Sequence, residues 1–244
     1  MLKIIKNKIT SNINVDEIIG LNKNMNLITF LNSYSYLKLR KEKSLLNKFD
    51  HIFIDGIVMV ILLNIFRISR CKRVSFDMTS LAPLVFDYAQ KKKKTIYFIG
   101  TEPRLVDSAI KNIRIYYPDL NISGYRNGFF KNAQEKEDTL QLIRNSSPDI
   151  VIAGMGTPLQ EKFLIDLQNK GWEGVGFTCG GFLEQSADNV HFYPVIINKL
   201  HLRWLYRIYK YPIRIGKRVL IDYPLFLIVF FLEYLSSTLS NNKG

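Results

Sequence analysis

Short apolar runs alternate with segments of helical length through most of this 244-residue chain. The apolar runs that we interpret as strands are Leu27–Phe30, Ile52–Ile54, Thr95–Ile99, Asn121–Gly124, Ile150–Ala153 and Val175–Thr178. The segments that we interpret as helices are Ser33–Asn47, Ser80–Gln90, Pro103–Tyr116, Ala133–Asn145 and Gln160–Asn169. Most of the runs are apolar throughout, which is typical of strands buried on both faces of a parallel sheet. The alternation therefore predicts an α/β fold with helices on both faces of a parallel sheet.

The pattern changes after about Asn189, where basic and aromatic residues interleave and no further strand–helix unit follows. We therefore predict two regions. Residues 1–188 form a Rossmann-like α/β core, and residues 189–244 form a basic, largely helical C-terminal appendage that binds membranes. The last residues, Ser236–Gly244, are polar and are expected to be disordered.

The composition argues against several classes of protein. Hydrophobic residues make up 47% of the chain and charged residues 23%, as in ordinary globular domains. Two cysteines, Cys71 and Cys179, are too few for a disulfide framework and suit reduced, buried thiols. Met1–Thr10 lacks the apolar stretch of a signal peptide, and no apolar run approaches the ~20 residues that span a bilayer. We expect neither a secreted scaffold nor an integral membrane protein.

The chain is strongly basic, with 34 Lys and Arg against 21 Asp and Glu and a net charge of +13. Such a balance favours a polyanionic partner, which is a nucleic acid, an anionic membrane surface or a phosphorylated substrate. No acidic residue occurs between Asn189 and Ile221. The basic residues of that stretch are Lys199, Arg203, Arg207, Lys210, Arg214, Lys217 and Arg218.

The spacing of these charges predicts an amphipathic helix. Five of them follow a 4-3-4-3 spacing that places them in one stripe: Arg203, Arg207, Lys210, Arg214 and Lys217. Pro212 is expected to break or kink the helix near Tyr211. Trp204 and the apolar run Pro224–Leu232 accompany the stripe. A basic amphipathic segment beside a short apolar one indicates an interfacial membrane anchor. The alternative is a solvated basic face on a helix that packs against the core.

Residues at the carboxyl ends of strands are the first candidates for a site, because open α/β sheets bind ligands there. Asp55-Gly56 follows the second predicted strand. A carboxylate in that position can serve as a general base toward a hydroxyl nucleophile. The alternative is an ordinary Asp-Gly turn.

Glycine-rich turns follow three other predicted strands, beginning at Gly100, Gly154 and Cys179. In the second turn Gly154 and Gly156 allow a close approach of the backbone to a ligand. Thr157 is expected to cap the next helix, with Pro158 at its first position. Together the turns indicate a nucleotide or nucleotide-sugar site, although none is specific by itself.

The first turn of the helix that begins near Leu159 carries two polar residues, Gln160 and Glu161. We expect both to face the mouth of the sheet. An ordinary capped helix explains the Thr-Pro pair but not the paired glycines followed by Gln-Glu, so this segment favours a functional role.

Three motifs are missing from the sequence. It contains no D-x-D, the usual metal–diphosphate anchor of sugar-nucleotide transferases, and no G-x-S-x-G hydrolase elbow. The histidines, His51, His191 and His201, lack the spacing of metal ligands. We therefore predict no metal site and no cofactor.

The chain resembles the WecG/TagA/CpsF family of bacterial glycosyltransferases from about Leu27 to Arg218. The motifs that carry the resemblance are Ile54-Asp55-Gly56, Lys72–Asp77, Tyr97–Gly100, Tyr117–Leu120, Gly124–Phe130, Ser147–Ile150, Gly154–Lys162, Leu202–Arg207 and Pro212. The most specific is Gly154-x-Gly-x-Pro-x-Gln160-Glu161-Lys162, with Pro158 in the middle of it.

The resemblance implies an inverting, metal-independent transfer of a sugar, typically N-acetylmannosamine or its uronic acid, from a UDP-sugar. The implied acceptor is a polyprenyl-diphosphate-linked sugar at the cytoplasmic face of the membrane, used in cell-surface polysaccharide synthesis. Asp55 corresponds to the family's proposed base. Motifs and resemblance together predict these substrate-binding residues: Asn32, Arg73, Gly154, Gly156, Gln160, Glu161, Arg203, Arg207 and Arg214. The resemblance places the last three near the diphosphate.

Two departures from the family pattern fall near the expected pocket. Many members have Thr-x-Asn after the first strand, whereas this chain has Phe30 before Asn32 and its threonine, Thr29, one residue earlier. Many also have Phe-Asp in the last glycine turn, where this chain reads Cys179-Gly180-Gly181. These changes bear on the identity of the sugar rather than on the class of reaction.

Two alternatives of other classes remain open at this stage. A nucleic-acid-binding module would suit the net charge, but no helix-turn-helix or RNP-like pattern is present and the glycine turns would have no role. An inactive scaffold of a polysaccharide-assembly complex would not need Asp55 and Gln160. We expect peripheral attachment to an anionic membrane surface, with possible homo-oligomers and without nucleic acid.

Overall fold

The structure is a computed structural model, and it describes residues 1–10, 14–20, 26–200 and 202–241. Its centre is a six-stranded parallel sheet with the strand order β2-β1-β6-β5-β3-β4. The strands are β1 (Asn26–Leu31), β2 (His51–Ile54), β3 (Ile96–Gly100), β4 (Ile122–Arg126), β5 (Ile150–Gly154) and β6 (Val175–Thr178). All the strands predicted from the sequence are present, and the parallel α/β fold is confirmed.

Helices cover both faces of the sheet and form the C-terminal region. They are α1 (Leu2–Lys8), α2 (Val15–Gly20), α3 (Ser33–Leu39), α4 (Lys43–Asn47), α5 (Ile57–Ile65), α6 (Leu81–Lys91), α7 (Pro103–Tyr116), α8 (Ala133–Ser146), α9 (Leu159–Asn169), α10 (Phe182–Asp188), α11 (Val195–Lys199), α12 (Arg203–Lys210), α13 (Pro212–Lys217) and α14 (Tyr223–Asn241). A 3₁₀ turn, Arg40–Glu42, separates α3 from α4, so the single helix predicted over Ser33–Asn47 is wrong.

The central strands are buried on both faces, as their continuous apolar runs predict. Along β5, Ile150 and Ile152 join one hydrophobic cluster, whereas Val151 and Ala153 join the cluster on the opposite face. The first cluster lies under α6, α7 and α10, and the second lies under α8 and α9. Side chains alternate along a strand, so only a sheet covered on both sides buries every residue of such a run.

The helix α5 directly follows Asp55-Gly56 and was not predicted from the sequence. Its residues Ile57–Ile65 are almost uniformly apolar, so they lack the periodicity that identifies an amphipathic helix. One side of α5 is buried through Met59 and Leu63, while Ile61 and Ile65 are exposed.

The helix break predicted at Pro212 is confirmed, because α12 ends at Lys210 and α13 begins at Pro212. Beyond this break the chain stays helical through a π-turn, Arg218–Asp222, into α14. The prediction of disorder is therefore wrong for Ser236–Asn241, which continue α14, and residues 242–244 lie outside the described residues. The hydroxyl groups of Ser237 and Thr238 donate hydrogen bonds to the Tyr234 carbonyl, at 2.7 and 3.2 Å, so these polar side chains bond within the helix.

The stretch Pro212–Leu239 is long and apolar enough to cross a membrane, by length and composition alone. The uninterrupted apolar run Pro224–Leu232 is shorter than a bilayer span, but the helical stretch extends beyond this run at both ends. Only 17% of its most apolar window is buried in the protein. Length and composition alone are weak evidence that a single helix spans a membrane. The contacts between this helix and the core are the more informative observation.

One side of α14 packs into the third hydrophobic cluster, with residues of α1, α3 and β2. Phe226 and Phe230 are fully buried there, and the ring of Phe226 lies 5.2 Å from that of Tyr36. Glu233 accepts a hydrogen bond from the Tyr36 hydroxyl at 2.8 Å and pairs with Arg40. These contacts hold α14 along the body of the protein. The division of the chain at residue 188 stays a prediction.

Candidate active site

A cleft of about 690 Å³ opens at the carboxyl ends of the strands, within the size range of small-molecule sites. The neighbouring strands β3 and β5 end at this cleft. From them the chain continues in opposite directions across the sheet, from β3 to β4 and from β5 to β6. Such a switch point is the general ligand position in open α/β sheets. Glycines permit the close approach of these strand ends, because a Cβ atom on Gly100, whose φ is +150°, would clash with the backbone of Gly154.

Asp55 and Arg73 form an ion pair in this cleft. A guanidinium Nη of Arg73 lies 2.7 Å from Oδ1 of Asp55, and its Nε donates to the Asp55 carbonyl at 2.7 Å. An isolated parallel bridge between Ile54 and Arg73 brings Asp55 and Arg73 together, although they are 18 positions apart in the sequence. Asp55 lies at the end of β2, where the sequence placed it. Its carboxylate has a fixed orientation and is partly open to the cleft.

Asp77 is a buried carboxylate that joins the core to the appendage. Its Oδ2 accepts hydrogen bonds from Ser75 at 2.7 Å and from Arg203 at 2.8 Å, and it lies 3.6 Å from Arg73. Burial raises the pKa of Asp77, but Arg203, the hydroxyl groups of Thr79 and Ser75, and Arg73 outweigh burial and hold it below its ordinary value. Asp77 was not among the predicted site residues, although it closes the motif Lys72–Asp77.

Gln160 lies in the cleft, whereas Glu161 lies beneath its floor. Gln160 Oε1 accepts a hydrogen bond from the Gly180 N–H at 3.2 Å, which connects two of the glycine turns. Glu161 has no exposed surface. The expectation that Glu161 faces the mouth of the sheet is therefore wrong, because α9 begins at Leu159 and its first turn directs this side chain inward.

The buried Glu161 carboxyl organises the floor of the cleft. Its Oε1 accepts hydrogen bonds from the hydroxyl groups of Thr29 and Thr157 and from the amide of Gln160, at 3.0–3.2 Å. Burial raises the pKa of Glu161 despite these donors. Thr157 therefore does not cap α9 as predicted; Pro158 occupies the N-cap position, after a cis Thr157–Pro158 peptide bond.

Three arginines of the predicted basic stripe line the cleft: Arg203, Arg207 and Arg214. Arg203 pairs with Asp77, and Arg214 donates two hydrogen bonds to Glu184 at 2.7 and 2.8 Å. The Nε of Arg207 is buried and has no hydrogen-bond partner among the described residues. The resemblance placed these three arginines near the diphosphate, and all three lie at the cleft, while the apolar side of the same helices is exposed.

The remaining predicted residues also lie at the cleft. Gly154 and Gly156 line it where β5 ends. Asn32 lines it too, but its side chain accepts a hydrogen bond from the Ser35 N–H at 3.0 Å and caps α3. Among the 1–10, 14–20, 26–200 and 202–241 segments, no group of three or more His, Cys, Asp or Glu residues has the arrangement of a metal site.

Several aromatic residues line the cleft without having been predicted, namely Tyr34, Phe129, Tyr193, Trp204 and Tyr223. Burial raises the pKa of Tyr193 to about 12, so its hydroxyl stays protonated. The guanidinium of Arg203 lies 5.0 Å from the centre of the Tyr193 ring. Isolated aromatic residues carry no signal in the sequence that distinguishes them from core residues.

Comparison with known proteins gives the class that this fold and cleft define. The chain matches the family model described as "Glycosyl transferase WecG/TagA/CpsF family" over residues 5–240. It therefore belongs to that family and is a glycosyltransferase, which confirms the resemblance. Membership leaves no support for the alternative of a nucleic-acid-binding module.

Named relatives agree on this class. The chain is 40% identical over 209 residues to a UDP-Gal:alpha-D-GlcNAc-diphosphoundecaprenol beta-1,4-galactosyltransferase of Shigella boydii, covering 86% of this chain and 87% of the relative. N-acetylglucosaminyldiphosphoundecaprenol N-acetyl-beta-D-mannosaminyltransferases are also similar. The Bacillus spizizenii protein is 29% identical, over 70% of this chain and 65% of its own length. That of Bacillus subtilis is 31% identical, over 54% and 50%.

We predict that Asp77→Asn destabilises the protein by roughly 3 kcal/mol at neutral pH, because it leaves two arginines short of a buried counter-charge. The folded-state pKa of Asp77 lies below its ordinary value. Its ion pairs therefore stabilise the protein above the ordinary aspartate pKa and lose that effect as the pH falls through the folded-state pKa. Urea unfolding of both proteins should show a stability difference that shrinks below about pH 4.

Asp87→Asn is the matched control, because Asp87 is exposed on α6. Its effect should stay within about 0.5 kcal/mol at every pH. A difference between wild type and Asp77→Asn that did not change with pH would contradict this assignment.

Proposed function

We propose that this enzyme transfers a hexose from a UDP-sugar to an undecaprenyl-diphosphate-linked N-acetylglucosamine, with inversion and without a metal ion. The observation that carries the proposal is the position of Asp55. Its carboxylate lies at a strand end, is oriented by Arg73, and opens into a cleft lined by four arginines of the C-terminal region, Arg203, Arg207, Arg214 and Arg218. The names of the relatives support the substrate classes.

Asp55 acts as the general base in this proposal. The contact with Arg73 uses Oδ1, so Oδ2 is the oxygen that accepts the proton of the acceptor hydroxyl. As that hydroxyl forms its bond to the anomeric carbon, the bond from this carbon to the phosphate oxygen of UDP breaks. Attack from the face opposite UDP inverts the configuration. The hydrogen bonds from Arg73 fix the direction of the base.

The leaving UDP carries the charge that develops in the transition state, and cationic donors stabilise such charge. Arg203 and Arg214 are already paired with carboxylates, whereas the buried Nε of Arg207 has no partner in the described parts of the chain. We therefore assign Arg207 the main contact with the donor diphosphate. Guanidinium groups suit phosphate oxygens because they offer planar, paired donors.

We propose galactose as the transferred sugar. The relative named as a galactosyltransferase has higher identity and covers more of this chain than the two mannosaminyltransferases. Phe30 and Cys179, the two departures from the family pattern, both line the cleft. The expectation of N-acetylmannosamine or its uronic acid is the alternative donor that an assay has to separate.

The exposed apolar side of the C-terminal helices supports attachment to a membrane surface. Its exposed residues include Trp204, Leu205, Tyr209, Ile213, Leu220, Ile221, Ile228 and Leu232. Apolar patches of this kind mark interaction surfaces, and nearby basic residues add attraction to anionic lipid. Because α14 packs against the core, we propose peripheral attachment at the cytoplasmic face rather than a span. Self-association stays a prediction.

The first experiment is a UDP-release assay with a short-chain polyprenyl-diphosphate-linked N-acetylglucosamine and a panel of UDP-sugars. We expect the highest turnover with UDP-galactose. Turnover should persist in EDTA, since the sequence has no D-x-D and the arginines supply the positive charge. Absence of release with every donor, or activity that EDTA abolishes and magnesium restores, would contradict the proposal.

Asp55→Asn should lower turnover by roughly 100-fold or more, because loss of a general base has effects of this size. The asparagine keeps an oxygen for Arg73, so the protein should remain folded by circular dichroism. Asp107→Asn, at an exposed position on α7, is the matched control and should leave turnover unchanged. Near-normal turnover of Asp55→Asn would remove Asp55 from the mechanism.

The double variant Ile213→Asp, Leu220→Asp should lose binding to anionic vesicles, because both side chains are more than three-quarters exposed and charge opposes their insertion. Sedimentation with vesicles measures this loss. Leu142→Asp, on the exposed side of α8, is the control that should still bind. Equal sedimentation of all three proteins would show that this surface is not the attachment site.

A further inference from the structure

Arg218 lies against an aromatic ring at the edge of the cleft. It occupies the π-turn before α14, and its guanidinium carbon is 4.1 Å from the centre of the Tyr34 ring. Tyr34 belongs to the first turn of α3, which follows β1. Both side chains line the cleft. This cation–π contact therefore holds the charge of Arg218 in place at the cleft.

The positive charge of Arg218 is not neutralised by a close carboxylate. No Asp or Glu of the described residues lies within ion-pair distance of it, although the charge of Asp222 acts on it from further away. Burial lowers the pKa of Arg218, and the charges of Arg207 and Arg214 act in the same direction. Like charges gathered in a partly desolvated cleft favour a bound anion that offsets their repulsion.

Arg218 also lies on the side of the cleft that holds the base. Arg218, Arg207 and Asp55 all line this cleft. The start of α3, which carries Tyr34, adjoins the Asp55-Gly56 turn, because a Cβ atom on Gly56 would lie 3.1 Å from Cβ of Asn32. The π-turn that carries Arg218 also carries Leu220 and Ile221, which are 78% and 55% exposed. Arg218 thus lies between an exposed apolar surface and the proposed base.

The chemical groups of a lipid-linked acceptor follow each other in the same order as the apolar surface, Arg218 and Asp55 do on the protein. Its isoprenoid chain suits the apolar surface, its diphosphate comes next, and its sugar hydroxyl has to reach Asp55. We propose that Arg218, positioned by Tyr34, binds the diphosphate of the acceptor and so selects lipid diphosphates over other acceptors. This inference rests on the proposed function and adds to it a site for the acceptor that is separate from the arginine assigned to the donor.

Inhibition by two diphosphates separates the acceptor site from the donor site. Farnesyl diphosphate represents the acceptor without its sugar, and UDP represents the leaving group. In Arg218→Gln we expect inhibition by farnesyl diphosphate to weaken roughly tenfold or more, as for loss of a charge-assisted contact. Inhibition by UDP and the KM for the UDP-sugar should stay within about twofold, while the KM for the lipid acceptor rises.

Three further variants test the role of the ring and of the charge. Tyr34→Phe keeps the ring and should behave like the wild type, whereas Tyr34→Leu should weaken inhibition by farnesyl diphosphate several-fold. Arg218→Lys keeps the charge but not the planar fork, so its inhibition constant should lie between those of wild type and Arg218→Gln. Arg144→Gln, at an exposed position on α8, is the control.

The outcomes are distinguishable from failure of the proposed function. If the wild type releases no UDP with any acceptor, the proposed reaction is wrong. If the wild type is active but Arg218→Gln weakens inhibition by UDP as much as inhibition by farnesyl diphosphate, the acceptor assignment is overturned. A loss of turnover in Arg218→Gln and Arg218→Lys with both inhibition constants unchanged would show a structural role instead, and would equally overturn it.

Discussion

The site depends on the buried carboxylate of Asp77, because this one group pairs both with Arg73, which contacts the base, and with Arg203 of the C-terminal region. Arg73 reaches it from the core, and Arg203 reaches it from α12. A carboxylate with so little exposure is stable only when cations and hydroxyl groups compensate its lost hydration, and here Ser75 and Thr79 supply the hydroxyl groups. Helix α12 is thereby attached to the rest of the protein at the cleft, so residues on both sides of Asn189 build one site.

Much of the fold follows from the sequence because a parallel sheet covered on both faces needs uninterrupted apolar strands. The buried strands were recognisable for that reason, whereas β4, at the edge of the sheet, has the mixed sequence ISGYR and no buried residue. Helix α5 was not, since its residues are apolar on all sides and give no helical period. The turn at Arg40–Glu42 was not predicted either, because helix-forming residues continue through it. Tertiary contacts decide such positions.

The sequence predicted which residues lie at the candidate site, but not how their side chains are arranged there. Asp55, Arg73 and Gln160 lie at the cleft where strand ends and motifs placed them. Their roles in catalysis stay predictions. Glu161 was misplaced because adjacent residues on a helix point in directions about 100° apart, so only one of the Gln-Glu pair faces the ligand. The basic stripe was identified correctly as a stripe, but spacing alone does not say which side of an amphipathic helix meets the protein.

The packing of α14 has a consequence for how the enzyme sits on a membrane. The helix cannot leave the protein body without uncovering Tyr36 and breaking the contacts of Glu233. A membrane-bound molecule would therefore be held as a rigid body in one orientation, unlike an enzyme on a flexible tether. The height of Asp55 above the lipid headgroups would then be a fixed property of the fold. The enzyme would then accept a sugar attached directly to the lipid diphosphate, whereas the terminal sugar of a longer glycan would lie too far from the membrane to reach Asp55.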